Sequence, residues 1–179
     1  MPPTYVSVIG GSTCTAAVAA LGEQLGELLA ERGCVVVNGG ASGVMEAVAR
    51  GVRRRGGTCL GILPGLDRGA AAPDLSLSVV TGMGHARNLA VVASGDVVIA
   101  LGGSWGTLSE IGLARSIGRE VVLLESWTVT PTQSEPDGLH RAADPAEAVA
   151  LALALAGGAG GAGGAGGAGG AGGAGGAGR

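Results

Sequence analysis

One stretch of the sequence decides the fold: Val97-Val98-Ile99-Ala100-Leu101-Gly102-Gly103-Ser104-Trp105-Gly106-Thr107. It begins with five consecutive apolar residues and passes through a pair of glycines. It then continues into a segment with helical spacing, in which Leu108, Ile111 and Ala114 mark one face. Unbroken apolar runs of this length are typical of strands covered on both faces, as in parallel sheets. The stretch therefore predicts a β-strand, a tight glycine turn and an α-helix in immediate succession.

The same order recurs on both sides of this stretch. Further apolar runs occupy residues 6–9, 35–37, 60–63 and 121–124, and residues 77–80 form a weaker one. Segments with helical spacing occupy residues 18–29, 44–52, 89–94 and 108–117. Gly33 stands where a glycine would end the first helix, and Asp144-Pro145-Ala146-Glu147 has the residue order of a helix start. The order β-α-β-α-β-β-α-β-α-β-α predicts an α/β, Rossmann-like, doubly wound and mainly parallel sheet flanked by helices.

Composition divides the chain at residue 157. Residues 157–178 repeat Gly-Gly-Ala and hold a large share of the 38 glycines. Such a segment has no side chains with which to build a core, so we expect residues 157–179 to be a disordered tail behind one domain, residues 1–156. The residues before and within the repeat are too weakly apolar to form a membrane span, and residues 126–137 are predicted to be a surface loop.

The ionisable residues and cysteines exclude several classes of protein. All 11 basic residues are arginine, which excludes pyridoxal-phosphate enzymes and Walker-type phosphate loops, because both require a lysine. A net charge of −3 and three aromatic residues argue against nucleic-acid binding. Three cysteines without a C-x-x-C pair, and a start without a signal peptide, predict a cytoplasmic protein with no metal site.

Three strand-to-helix turns are rich in glycine: Gly10-Gly11-Ser12-Thr13, Asn38-Gly39-Gly40-Ala41-Ser42-Gly43 and the Gly102–Thr107 turn quoted above. Glycine lets a ligand approach the backbone, and the helix that follows offers unpaired N–H groups that favour anions. Tight turns alone would also explain any one of these glycines. Three turns at one sheet edge favour a phosphorylated ligand. The predicted binding residues are Gly10, Gly11, Ser12, Gly39, Gly40, Gly43, Asn88, Gly102, Gly103, Ser104, Gly106 and Thr107.

The first turn lacks the G-x-G-x-x-G pattern of dinucleotide oxidoreductases, and the second strand does not end in an acidic residue. An ordinary NAD-type oxidoreductase is therefore not expected.

Three motifs together resemble the LOG superfamily: Gly39-Gly40-x-x-Gly43-Val44-Met45-Glu46-Ala47, Thr81-Gly82-Met83-Gly84-His85-Ala86-Arg87-Asn88 and Gly102-Gly103-x-x-Gly106-Thr107-Leu108-Ser109-Glu110. That superfamily includes nucleoside 5′-monophosphate phosphoribohydrolases, molybdenum-cofactor carriers and uncharacterised proteins mislabelled as lysine decarboxylases. The resemblance implies a catalytic Glu110 and a catalytic Arg87, no required cofactor, and a homodimer or higher homo-oligomer. Leu101 stands where the hydrolase motif has proline and Asn88 where it has lysine, which places the chain nearer the carrier-like and uncharacterised branch.

Two functions follow from these observations. The first is hydrolysis of the N-glycosidic bond of a nucleoside 5′-monophosphate. The second is non-enzymatic binding of the molybdenum cofactor or a related phosphorylated cofactor as a carried ligand; single-stranded DNA binding is disfavoured. Structural alternatives exist for both central residues: Glu110 could complete a capping box with Thr107, and Arg87 could be an ordinary surface arginine. The arginines at positions 50 and 53–55 predict a solvated helix end or a subunit contact.

Overall fold

The computed structural model describes residues 2–129 and 138–159. Most of the predicted loop 126–137, and the predicted tail beyond Ala159, lie outside these residues. The strands are β1 (Tyr5–Gly10), β2 (Val35–Asn38), β3 (Thr58–Leu63), β4 (Leu77–Val80), β5 (Val97–Leu101), β6 (Val121–Leu124) and β7 (Leu139–Ala142). The helices are α1 (Ala16–Glu31), α2 (Val44–Arg54), α3 (Arg87–Ser94), α4 (Trp105–Ser116) and α5 (Pro145–Ala159). Short 3₁₀ turns cover Arg68–Ala70 and Gly84–Ala86.

The seven strands form one sheet in the order β4-β3-β2-β1-β5-β6-β7, and every pair is parallel. This confirms the predicted α/β, Rossmann-like, doubly wound fold. β7 was not predicted, because its Leu-His-Arg-Ala sequence contains no apolar run. Among the described residues β7 lies at the edge of the sheet, beside β6, and its residues are exposed or half-buried, so it can carry polar side chains.

Two apolar cores lie on opposite faces of the sheet. All five residues of β5 are fully buried, which confirms the strand that was predicted from their unbroken run. Val97, Ile99 and Leu101 belong to the core beneath α1, α2 and α5, whereas Val98 and Ala100 belong to the core beneath α3 and α4. Burying one valine or leucine contributes about 1.5–3 kcal/mol, so β5 is a strong determinant of stability from both sides.

The helix ends follow the predicted chemistry. Gly33 has φ +69° and follows the last residues of α1, as a terminating glycine should. At the start of α5 the Glu147 N–H donates to the Asp144 carboxylate at 2.9 Å, and the Ala143 N–H donates to the Glu147 carboxylate at 2.7 Å. Both predictions are confirmed.

The arginines that end α2 form ion pairs with α1. Arg54 pairs with Glu23 at 2.6 Å, and Arg55 pairs with Glu27 at 2.9 Å. Arg53 pairs instead with Asp74, at 3.2 Å. These arginines are half or more exposed, and their surface ion pairs connect α2 to the neighbouring residues.

β1 lies at the centre of the sheet and pairs with β2 on one side and β5 on the other. The chain therefore reverses its winding direction at this point, which in open α/β sheets opens a crevice at the carboxyl ends of the strands. The turns after β1, β2 and β5 all lie at this edge. In the part of the chain that the structure describes, no helix is long and apolar enough to cross a membrane.

Candidate functional site

The turns after β1 and β2 are joined to each other by hydrogen bonds. The Val44 N–H donates to the Gly11 carbonyl at 3.0 Å, and the Ser42 hydroxyl donates to the Ser12 carbonyl at 2.9 Å. Gly43 has φ +71°, and a Cβ atom there would lie 2.5 Å from the Gly11 carbonyl oxygen. A glycine is therefore required at position 43 so that the two turns can pack together.

Two adjacent cavities lie among the three glycine turns, with Ser104 on the wall of both. The smaller cavity has a volume of about 150 Å³ and the larger about 260 Å³. The smaller is lined by Ile9, Gly10, Ser12, Gly39, Met45, His85, Arg87, Asn88, Ser104, Gly106, Thr107 and Glu110. The larger is lined by Gly11, Thr13, Cys14, Thr15, Val18, Val44, Gly102, Gly103 and Ser104.

Glu110 lies inside α4 and is 7% exposed. The capping box that we considered for it is wrong, because α4 begins at Trp105. The actual cap joins Ser104 to Thr107: the Thr107 N–H donates to the Ser104 hydroxyl at 3.2 Å. Burial raises the pKa of the Glu110 carboxyl to about 7, although the nearby Arg87 guanidinium opposes the rise. The carboxyl is therefore poised between its two protonation states at neutral pH.

Arg87 begins α3 and is 9% exposed, so the alternative of an ordinary surface arginine is wrong. Its guanidinium lies against Gly39, and its buried Nε has no hydrogen-bond partner among the residues that the structure describes. Burial lowers the pKa of Arg87, whereas the charge of Glu110 raises it. A buried arginine with an unsatisfied donor at a cavity is typical of a site for an anionic ligand.

The structure brings most of the predicted site residues together. Nine line the smaller cavity: Gly10, Ser12, Gly39, Arg87, Asn88, Ser104, Gly106, Thr107 and Glu110. Gly11, Gly102 and Gly103 line the larger one. Gly40 and Gly43 lie outside both linings, and the Gly40 N–H already donates to the Asn38 side chain at 2.8 Å.

Several residues that line the two cavities were not among the predicted site residues. Ile9 and Met45 line the smaller cavity, and Thr13, Thr15 and Val18 line the larger one. Each lies within a few residues of a glycine turn, so proximity to the turns was the available signal. Among residues 2–129 and 138–159, no group of three or more His, Cys, Asp or Glu side chains could hold a metal ion.

Two tryptophans pack against each other beside the turn after β5, with their ring planes tilted by 40°. The Trp127 indole N–H donates to the Ser104 carbonyl at 3.0 Å. The ring centroids of Trp105 and Trp127 are 5.1 Å apart. Gly103 leaves room for this pair, because a Cβ there would lie 3.2 Å from the Trp127 indole nitrogen. The turn shared by the two cavities is thus held in place from outside.

A doubly wound parallel sheet, glycine turns at its switch point and a cavity there lined by buried Arg87 and Glu110 are the features of a LOG-like, Rossmann-like protein. The sequence pattern of the SLOG cluster4 family, LDcluster4, matches residues 3–149, and the chain belongs to this family.

Comparisons with individual proteins agree with this assignment. An uncharacterized protein of Archaeoglobus fulgidus is 38% identical over 136 residues, which are 73% of this chain and 89% of that protein. The probable cytokinin riboside 5′-monophosphate phosphoribohydrolase LOGL5 of Oryza sativa is 38% identical over 91 residues, 49% of this chain and 37% of that protein. The chain thus matches less than half the length of the rice protein.

Among solved structures, the molybdenum cofactor binding protein of Rippkaea orientalis superposes with a TM-score of 0.78 at 32% identity, covering 87% of this chain and 98% of that one. These likenesses place the chain near the carrier-like and uncharacterised branch of the LOG-like proteins.

Proposed function

We propose that the protein binds a nucleoside 5′-monophosphate, or a closely related phosphorylated ligand, in the two adjacent cavities and hydrolyses its N-glycosidic bond. The observation that carries this proposal is the Glu110 carboxyl, buried at the smaller cavity beside Arg87 with a pKa of about 7. A carboxyl with no catalytic or binding task would be expected to face solvent or to form an ion pair, because burying it is costly.

The chemistry follows from the two side chains. The Glu110 carboxylate stabilises the positive charge that develops at the sugar C1′ atom as the bond to the base breaks, or it takes a proton from the attacking water. Arg87 supplies hydrogen bonds and positive charge to the phosphate or ribose. The glycine turns approach the ligand with backbone N–H groups, and Asn88 is a neutral hydrogen-bonding neighbour at the smaller cavity.

A second candidate is a carrier of the molybdenum cofactor or a related phosphorylated cofactor. It is supported by the likeness to the molybdenum cofactor binding protein of Rippkaea orientalis and by the two departures from the hydrolase motif, Leu101 and Asn88. In this case the same cavities hold the ligand without turnover. In both cases we propose that the protein acts in the cytoplasm as a homodimer, and light scattering of the purified protein measures its mass.

Incubation with AMP, GMP and modified adenosine monophosphates, followed by chromatographic detection of free base, tests the enzyme proposal. Base release by the wild type and its loss in Glu110→Gln are the expected results. Gly112→Ala is the matched control, because Gly112 is exposed on the same helix and a Cβ there would meet no atom of the described residues within 4 Å.

The outcomes separate the two functions. No release from any monophosphate, together with micromolar binding of the isolated molybdenum cofactor, overturns hydrolysis and supports the carrier. Base release at the same rate from wild type and Glu110→Gln shows that hydrolysis does not depend on this carboxyl.

A further inference from the structure

The second glycine turn has a feature that phosphate binding does not explain. A Cβ atom built on Gly39 has three guanidinium atoms of Arg87 as its nearest neighbours. It would lie 2.6 Å from Nη2, 2.7 Å from Cζ and closer still to Nη1. Gly39 is buried, and its φ is outside the left-handed region, so this φ does not require glycine. The nearest atoms that a side chain at this position would meet are those of the Arg87 guanidinium.

Neighbouring contacts hold Gly39 firmly in position. The side chain of Asn38, which is fully buried, donates to the Met45 carbonyl at 3.1 Å and accepts the Gly40 N–H at 2.8 Å. These bonds link the end of β2 to both the turn and the start of α2. The backbone at Gly39 is therefore a rigid surface, whereas the guanidinium that rests on it ends a flexible side chain.

We propose that Gly39 is a positioning residue, whose bare backbone seats the Arg87 guanidinium at the smaller cavity beside Glu110. A methyl group at position 39 would displace the guanidinium instead of the buried backbone. Gly39→Ala would then change the position of the positive charge relative to Glu110 without removing it from the protein. This role differs from direct phosphate binding by the glycine, and its consequence for the ligand rests on the proposed function.

The first test needs no ligand. The titratable or charged side chains that line the smaller cavity are His85, Arg87 and Glu110, and Arg87 opposes the raised pKa of Glu110. Carbon NMR of the Glu110 carboxyl would follow its titration in the wild type, Gly39→Ala, Arg87→Ala and the double variant. We expect Arg87→Ala to raise the pKa of Glu110, Gly39→Ala to shift it from its wild-type value, and the double variant to match Arg87→Ala. An unchanged pKa in Gly39→Ala overturns the proposal.

Stability provides a second arm that remains informative if Gly39→Ala folds poorly. The extra methyl group collides with Arg87, so Arg87→Ala should relieve the collision. We expect Gly39→Ala to lower the unfolding midpoint less in the Arg87→Ala protein than in the wild type, and a poorly folded single variant to be rescued in the double variant. Equal losses in both backgrounds contradict the proposal. Gly112→Ala, in open space, controls for adding a methyl group.

The third arm uses AMP as the probe. Displacing a charged hydrogen-bond donor should weaken AMP binding by about 10-fold or more. Adding Gly39→Ala to Arg87→Ala should weaken it no further. If the wild type binds no AMP, AMP is not a ligand of this site, and the carboxyl titration and stability arms still decide the seating of Arg87. If the wild type binds AMP and Gly39→Ala binds it equally well, Gly39 is not a positioning residue for that ligand.

Discussion

Replacing Glu110 with glutamine should stabilise the protein in a manner that depends strongly on pH. Glutamine has nearly the same shape as the protonated carboxyl and cannot ionise. Burial favours the protonated form of Glu110 in the folded protein, whereas the unfolded chain ionises freely. The folded state therefore holds the proton more tightly than the unfolded state, and wild-type stability falls as this proton is lost.

The size of the effect follows from the two pKa values. The pKa of Glu110 rises from an ordinary 4.5 to about 7 on folding. At about 1.4 kcal/mol for each pH unit, this difference amounts to about 3 kcal/mol. The stability supplied by the neutral carboxyl is fully present below pH 4.5 and is lost as the pH rises through about 7. The free energy of unfolding of Glu110→Gln should therefore rise by about 3 kcal/mol relative to that of the wild type as the pH is raised from about 4 to about 8.

Urea denaturation at fixed protein concentration, repeated across this pH range, measures the difference. Glu31→Gln is the control, because Glu31 is exposed at the end of α1 and its ion pair with Arg55 is a surface pair worth at most about 1 kcal/mol. A constant difference between Glu110→Gln and the wild type at every pH would refute the raised pKa. If the stability difference between Glu31→Gln and the wild type changed equally with pH, the effect would come from the charge of the whole protein.

Three further predictions concern activity and folding. If the carboxylate form of Glu110 is the active one, the rate of base release should be low at pH 5.5 and reach a plateau above pH 8. Its midpoint should lie near the pKa of about 7. A rate that falls with rising pH would show that the protonated form is the active one. Gly43→Ala should lower the free energy of unfolding by about 2 kcal/mol or more, because Gly43 has a positive φ and an added Cβ would lie against the Gly11 carbonyl oxygen. Gly112→Ala, at an exposed helical glycine, should cause no loss, and a Gly43→Ala protein as stable to heat as the wild type would contradict this account. Glu27→Gln, which breaks the ion pairs with Arg54 and Arg55, should lower the free energy of unfolding by less than about 1 kcal/mol. This loss should be smaller in 1 M salt, because salt screens surface charges. A loss that salt leaves unchanged would show that packing dominates.

Much of the fold could be predicted because its determinants are local. A few neighbouring residues determine each of three features: the apolar run of β5, the terminating glycine of α1 and the cap of α5. β7 could not be predicted in this way, since its place in the sheet depends on pairing with β6 and not on its own composition.

The meeting of the glycine turns at one edge of the sheet could be predicted, but the detail of the candidate site could not. Parallel strands end at one edge, so the glycine turns had to meet there. The burial of Arg87 and the raised pKa of Glu110 depend on how α3 and α4 pack. No sequence motif predicts this packing. The predicted role of Gly39 in binding phosphate remains a prediction, and its contact with Arg87 could be seen only in three dimensions.

The contact between Trp105 and Trp127 has a practical consequence. These are the only two tryptophans in the sequence, and both adjoin the turn that the two cavities share. The single tyrosine, Tyr5, begins β1 at the opposite edge of the sheet. The ultraviolet emission of the unlabelled protein therefore originates almost wholly beside the cavities, and titrations of candidate ligands can be followed by fluorescence without attaching a dye.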